Sequence, residues 1–218
     1  MLLAYSMLSQ ILAPFLMFLS VAASNSALFS MDRPLAVKEF SLENRYADSF
    51  VNKVFKDNIL LDIAYMSGKI TKSKDINWDE IEKPFKYKFT LDTGKTFAFH
   101  EDVLPQYQDS LTITTKAHFN RSEGFKSDGY LVGDGVCHLA SLIYWAAKDA
   151  GLDTYAPANH DFMQIPEIPK EFGVAIYSMP GQSQSNARQN LYITNNRKDR
   201  IAFEFDYDGK NLKLSVEK

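Results

Sequence analysis

The chain has 218 residues, of which 45% are hydrophobic and 23% charged, as in a folded protein that is long enough for one domain with a core. A net charge of -3 provides no basic field to hold nucleic acid, so we expect no nucleic-acid partner. A single cysteine excludes an internal disulfide, and packing alone must therefore stabilise the fold.

The first part of the chain has the composition of an export or membrane segment. Residues 1–31 carry no charged side chain, and the apolar run 11–23 is followed by small and polar residues. This pattern predicts that residues 1–27 are a signal peptide cleaved after Ala23, or an uncleaved membrane anchor. A buried N-terminal helix is the alternative. With 28–40 as a linker, we expect an extracytoplasmic protein, either secreted or bound to the membrane through this segment.

Residues 41–84 are predicted to be mainly helical. Apolar side chains recur at spacings of three and four from Phe50 to Ile63, and Gly68 is a natural end for a helix over 41–66. The polar stretch 69–82 is predicted to be a loop.

Residues 85–218 are predicted to form a domain of helices and antiparallel strands. Phe85, Tyr87, Phe89 and Leu91 alternate with polar residues, which indicates a strand with one buried face. Asp208-Gly209 indicates a hairpin. Further strands are expected at 96–99, 152–158, 173–178, 190–195, 200–207 and 211–216. The order of elements predicts an α+β fold, with an antiparallel sheet packed against helices.

One long helix is expected between the glycine-rich stretch 122–135 and Gly151. Its apolar stripe runs from Leu139 to Ala150, and Cys137 stands at its start, where Asp134 or Gly135 is expected to cap it.

Several of these stretches resemble the VanW-like family of bacterial envelope proteins. The similar segments are Phe89 to Phe99 (FTLDTGKTFAF), Gly133 to Tyr144 (GDGVCHLASLIY), Ala150-Gly-Leu with a histidine at 160, and Asn190 to Asn196 (NLYITNN). The family is linked by name to a glycopeptide-resistance cluster and has no settled activity. The resemblance therefore implies a domain of the cell envelope without implying a reaction.

Two positions depart from the family pattern. His138 stands where the family usually has glutamine. Gly173 stands where the family has an aspartate on the strand after the histidine, so this chain lacks that carboxylate.

The helix length allows Cys137 and His160 to meet. A helix over 137–150 rises about 20 Å, and an extended return of six or seven residues covers the same distance. A helix N-terminus favours a thiolate, which His160 would generate as a base. The layout is similar to that of transglutaminase-like and papain-like enzymes, and the two residues are the predicted catalytic pair.

Three further residues are candidates for supporting roles. The backbone N–H of Cys137, helped by His138, is a candidate oxyanion hole. Asn190 is the preferred group to orient His160, whereas Asp161 is adjacent on the strand and points to the other face.

The sequence leaves several readings open. Cys137 and His160 are either a reactive pair or a structural pair, and zinc binding by Cys137, His138, His160 and Asp161 is a third reading. These sequence patterns predict no cofactor. Two functions follow: an acyl-transfer or amide-bond enzyme acting on peptidoglycan-related peptides, or a non-catalytic domain that binds a cell-wall peptide or glycan.

Overall fold

A computed structural model describes residues 33–218, and the expected signal peptide or anchor at 1–27 lies outside the described residues. The described part of the chain is α+β and contains two four-stranded sheets. In these residues no helix is both long enough and apolar enough to cross a membrane.

The first sheet is antiparallel, in the order β1-β8-β7-β2. Its strands are β1 (Ala36–Ser41), β2 (Phe85–Leu91), β7 (Ile201–Tyr207) and β8 (Asn211–Glu217). The predicted strand at 85–91 and the hairpin at Asp208-Gly209 are confirmed, because Tyr207 pairs with Leu212 across that turn.

The prediction of a linker over 28–40 is wrong for its last residues. Residues 36–41 form the edge strand β1, in which Ala36 and Phe40 are buried and Lys38 packs over the ring of Trp145. Its partner strand β8 is at the other end of the chain, so no local signal marks it. Residues 28–32 lie outside the described part.

The second sheet is mixed, in the order β4-β3-β6-β5. Its strands are β3 (Thr96–Ala98), β4 (Leu111–Ile113), β5 (Asp153–Tyr155) and β6 (Tyr192–Thr194), and β3 runs parallel to β4. The strand expected at 173–178 is absent as a regular element, since only Val174 forms a bridge, with Asn159.

Two long helices pack against each other, and the second of them also packs on strands of both sheets. Two further helices are short. The long helices are α1 (Ser49–Met66) and α3 (Val136–Asp149), and the short ones are α2 (Trp78–Ile81) and α4 (Ser183–Asn186). Helix α1 begins at Ser49 rather than 41, because the Asp48 side chain accepts hydrogen bonds from the N–H groups of Phe50 and Val51 and caps it.

Helix α1 is buried on all sides in its second half, from Asp57 to Met66. Three polar residues are buried with it, namely Asp57, Asn58 and Asp62. Asn58 hydrogen-bonds the backbone of the loop that precedes α3, so α1 is both a core helix and a support for that loop.

The start of α3 rests directly on α1. Gly135 has a φ of 100°, and a Cβ at this position would lie 2.7 Å from the carbonyl oxygen of Phe55 and 3.1 Å from its Cα. Both the backbone conformation and the close approach of the two chains therefore require glycine here.

We expect Gly135→Ala to lower the free energy of unfolding by about 3 kcal/mol, because left-handed strain and the clash with Phe55 add. Denaturant unfolding monitored by circular dichroism measures the change. Gly94→Ala is the matched control: Gly94 has a φ of 74°, but a Cβ there meets nothing within 4 Å. This variant should lose only about 1 kcal/mol. Equal losses in the two variants would contradict the close packing of α3 on α1.

Candidate functional site

The candidate site lies where the glycine-rich loop 126–135 enters α3. The Asn58 side-chain amide donates to the carbonyl oxygens of Lys126 at 3.0 Å and Asp134 at 2.9 Å, and its oxygen accepts the N–H of Lys126 at 2.8 Å. The N-cap of α3 is Gly135, which provides no side-chain hydrogen bond. Cys137 is thereby placed as the second residue of the helix.

The thiol of Cys137 is bound to the backbone of Ile176. The sulfur lies 3.6 Å from the Ile176 carbonyl oxygen, to which it donates, and 3.4 Å from the Ile176 N–H, from which it accepts. Burial raises the pKa of the Cys137 thiol to about 11, and the nearby Asp134 carboxylate adds to this increase. The expected lowering of the thiol pKa by the helix start is therefore wrong, and the thiol is protonated at neutral pH.

His160 is buried and tied to its own loop. Its Nδ1–H donates to the carbonyl oxygen of Met163 at 2.9 Å, which assigns the lone pair to Nε2. The Phe162 ring lies 4.0 Å from the imidazole, centroid to centroid. Burial lowers the pKa of His160, so the ring is neutral at neutral pH.

Cys137 and His160 line the same cleft, as the helix length suggested. No hydrogen bond joins them in the described part of the chain; each is bound to a different backbone carbonyl instead. The structure thus brings the two residues to one place without forming a thiol and imidazole pair. Their catalytic role stays a prediction.

His138 also lines the cleft, and its ring nitrogens belong to a buried polar network. Its Nδ1 accepts from the guanidinium of Arg45 at 3.2 Å, and its Nε2 lies 3.4 Å from the Tyr46 hydroxyl. Burial and the Arg45 charge hold the pKa of His138 well below its usual value. Its backbone N–H donates to the Gly135 carbonyl at 3.0 Å, so His138 does not supply the expected oxyanion donor.

Arg45 connects this network to two further segments. Its guanidinium donates to the carbonyl oxygens of Ser41 and Pro166 and lies 3.7 Å from the Glu167 carboxylate. One residue therefore fixes the end of β1, the loop around 166 and the orientation of His138.

The cleft itself has a volume of about 600 Å³ and mainly apolar walls. Phe55 and Val51 of α1 and Ile176 line it, together with the start of α3. Three loops surround it with exposed large hydrophobic side chains. These rim residues are Tyr130, Leu131, Phe162, Met163, Tyr177 and Met179.

A family model described as "VanW like protein" matches residues 87–216, more than half of the chain. The chain belongs to the VanW-like family. No curated protein and no solved structure matches it.

Gly173 explains why this VanW-like chain has no carboxylate beside His160. The Gly173 carbonyl accepts the N–H of His160 at 3.2 Å, and a Cβ on residue 173 would lie 3.1 Å from the His160 carbonyl oxygen and 3.3 Å from its Cβ. An aspartate here would press against the His160 backbone unless one of the two segments moved.

The other proposed orienting groups are not in contact with His160. The Asn190 amide donates to the carbonyl oxygens of His100 and Asp102 and accepts the N–H groups of Phe99 and His100, so the choice of Asn190 is wrong. Asp161 is exposed, and only its charge acts on the ring, raising the pKa of His160 slightly against the effect of burial.

The zinc alternative does not assemble either. Within residues 33–218 no group of three or more histidine, cysteine, aspartate or glutamate side chains is placed to hold a metal ion. Cys137 and His138 point to different partners, Ile176 and Arg45.

Two carboxylates, those of Asp128 and Asp134, line the cleft. The sequence patterns did not identify them as site residues. The Asp134 carboxylate accepts the N–H of Asp128 at 3.1 Å, and the Asp128 carboxylate accepts the N–H of Tyr130 at 3.1 Å. Burial, followed by the neighbouring Asp128, raises the pKa of Asp134 to about 6. The Asp-Gly and Gly-Asp-Gly letters around them indicated only a loop.

We expect alkylation of Cys137 by iodoacetamide to accelerate about tenfold per pH unit between pH 7 and 9.5 without levelling off, because only the thiolate reacts and the pKa is about 11. Mass spectrometry of the labelled thiol measures the rate.

The same profile is expected for His160→Gln, since no hydrogen bond joins the imidazole to the sulfur in the described residues. A rate that levels off below pH 8 in the wild type, and not in His160→Gln, would show that the two groups form a thiolate and imidazolium pair after all.

Proposed function

We propose that this VanW-like chain is a non-catalytic binding domain of the bacterial cell envelope, whose cleft receives a cell-wall peptide or glycan. The observation that carries the proposal is the ring of six exposed apolar side chains around a cleft of about 600 Å³. Clustered exposure of this kind marks a surface that binds another molecule, because isolated soluble surfaces seldom keep such patches.

The composition of the rim supports a binding role. Tyr130 and Phe162 provide large rigid contact areas, and Met163 and Met179 are flexible and adapt to differently shaped partners. They belong to three different loops, so a ligand would be held from three sides. The Cys137 thiol in the cleft is a poor nucleophile, since its pKa is raised and it is bound to the Ile176 backbone.

Location in the envelope, and attachment to the membrane, rest on the sequence. The chargeless stretch 1–31 has the pattern of an exported or membrane-anchored protein. The resemblance of the sequence to the VanW-like family of bacterial envelope proteins implies the same location.

An acyl-transfer enzyme is the second candidate, favoured by the presence of Cys137 and His160 in one cleft. Neutral His160 has a free lone pair on Nε2 and would take the thiol proton as the sulfur attacks a peptide carbonyl. The C–N bond would then break, the amine would leave with that proton, and water would hydrolyse the thioester. This layout is the one compared above with transglutaminase-like and papain-like enzymes. It requires the thiol to leave Ile176 first.

Binding of soluble stem-peptide fragments from bacterial cell wall to the full chain tests the proposal. We expect Phe162→Ser to weaken binding roughly tenfold, as for a central aromatic contact, when measured by titration calorimetry. Phe50→Ser is the matched control, because Phe50 is 61% exposed and Phe162 71%, but only Phe162 lines the cleft.

Cys137→Ala separates the two candidates. A binding domain keeps its affinity for the fragments in this variant and leaves them intact over hours of incubation. Cleavage or transfer products formed by the wild type and absent with Cys137→Ala would establish the enzyme and overturn the non-catalytic assignment. Equal affinity in Phe162→Ser and Phe50→Ser would remove the cleft as the binding surface.

A further inference from the structure

The two carboxylates on the acidic side of the cleft are held in place by hydrogen bonds to the backbone of their own loop. The Asp128 and Asp134 carboxylates each accept a backbone N–H of the loop, which fixes where their remaining oxygens point. The loop is in turn held to α1 by the Asn58 amide, which binds the Asp134 carbonyl. Both carboxylates therefore line the cleft in a defined position.

The pair is not neutralised by the protein. Among residues 33–218 neither Asp128 nor Asp134 forms an ion pair, although most other acidic clusters of this chain are paired with lysine or arginine. Both carboxylates act on Tyr46 in the cleft wall: burial raises the pKa of Tyr46, the Arg45 guanidinium lowers it, and Asp134 and Asp128 add to the rise.

The cationic side chains near the cleft have other partners. Arg45 lies 3.7 Å from the Glu167 carboxylate, and the His118 ring hydrogen-bonds the Glu123 carboxylate. His138 and His160 are neutral, because burial lowers the pKa of both. Arg121 lies at the rim and is exposed, where solvent screens its charge. The cleft thus combines apolar walls with a partly buried negative pair.

We propose that the ligand of this cleft is a peptide with a side-chain ammonium, which sits at Asp128 and Asp134 while its apolar neighbours pack on Phe162, Met163 and Tyr130. This inference rests on the proposed binding function and specifies its ligand. A flexible ammonium offers three donors to two carboxylates, and the apolar rim accepts the flanking side chains. A surface of anionic lipid is disfavoured, because it would face Asp128, Asp134 and the exposed Asp161.

A matched pair of probes tests the ammonium. The first is acetyl-Leu-Lys-Phe-amide, and the second is acetyl-Leu-norleucine-Phe-amide, which has the same aliphatic stem without the charge. We expect the lysine probe to bind the full chain roughly tenfold more tightly, the effect of one charge-assisted hydrogen-bonded contact. Methyl resonances of Met163 and Met179 report whether either probe occupies the cleft.

Variants of the pair provide the second arm. Asp134→Asn and Asp128→Asn retain a side-chain oxygen that accepts the same backbone N–H, so the loop is expected to keep its shape. Each should reduce the preference for the lysine probe to threefold or less. Asp109→Asn is the control, because Asp109 is exposed and outside the cleft and loses the same charge.

The outcomes are separable. Equal binding of both probes to the wild type, with the methionine resonances shifted by each, overturns the ammonium and leaves the binding cleft intact. Failure of both probes to shift those resonances, together with failure of cell-wall fragments to bind, overturns the cleft as well. Binding of the wild type, but not Phe162→Ser, to vesicles of phosphatidylcholine and phosphatidylglycerol would identify the partner as a membrane and also overturn the proposal.

Discussion

The side-chain amide of Asn58 holds together the parts of this molecule that form the cleft. It makes three hydrogen bonds to the backbone of Lys126 and Asp134, from a helix that is otherwise part of the core. Beside it, the buried Asp57 carboxylate accepts from Lys126 Nζ at 2.5 Å and from Lys53 Nζ at 3.0 Å. Buried polar side chains without hydrogen-bond partners would destabilise the fold. Because Asn58 and Asp57 find partners in this one loop, their pairing specifies where the loop lies.

The positions of the site residues at the start of α3 follow from that attachment. Because the loop is held at Lys126 and Asp134, Gly135 is brought against the Phe55 backbone and α3 begins at that point. The first turn of α3 then places Cys137 beside Ile176 and His138 beside Arg45. The acidic pair belongs to the same loop, so the start of α3 and the negative side of the cleft are positioned by one set of contacts.

Local signals in the sequence were sufficient for much of the fold. Strict alternation predicted the strand at 85–91, the Asp208-Gly209 turn predicted the last hairpin, and both are present. The apolar stripe placed the second long helix within one residue of its observed bounds, Val136–Asp149. Strand β1 escaped detection because its pairing with β8 depends on the opposite end of the chain, and the buried polar face of α1 has no periodic signature.

The sequence predicted where the site lies, but it did not predict the hydrogen-bond partners of the site residues. Counting the rise of the helix and its return put His160 at the same cleft as Cys137. The partners of their polar atoms were not predictable, because the Ile176 and Met163 carbonyls belong to irregular segments whose path depends on tertiary contacts. For the same reason Asn190 was assigned to His160 although it organises the loop at His100.

Two opposing effects act on the pKa of the Cys137 thiol, the helix N-terminus and burial, and their magnitudes decide the outcome. A helix N-terminus stabilises a nearby negative charge by about 0.3–1 kcal/mol when exposed, which corresponds to less than one unit of pKa. Removing a charge from water shifts a pKa by up to about 3–5 units. Around Cys137 the second effect is larger, and the Asp134 carboxylate acts in the same direction, so the pKa rises to about 11.

The position of a cysteine at a helix start is therefore insufficient evidence for a nucleophile. A nucleophilic cysteine differs from a structural one in the surroundings of its sulfur, because it has a cation or an imidazole within hydrogen-bond distance. Here the sulfur's partners are the N–H and carbonyl of Ile176, and the charge that acts on its pKa is the negative one of Asp134. The same negative charge that suppresses a thiolate favours a cationic ligand, so the electrostatics of this cleft support the proposed binding role.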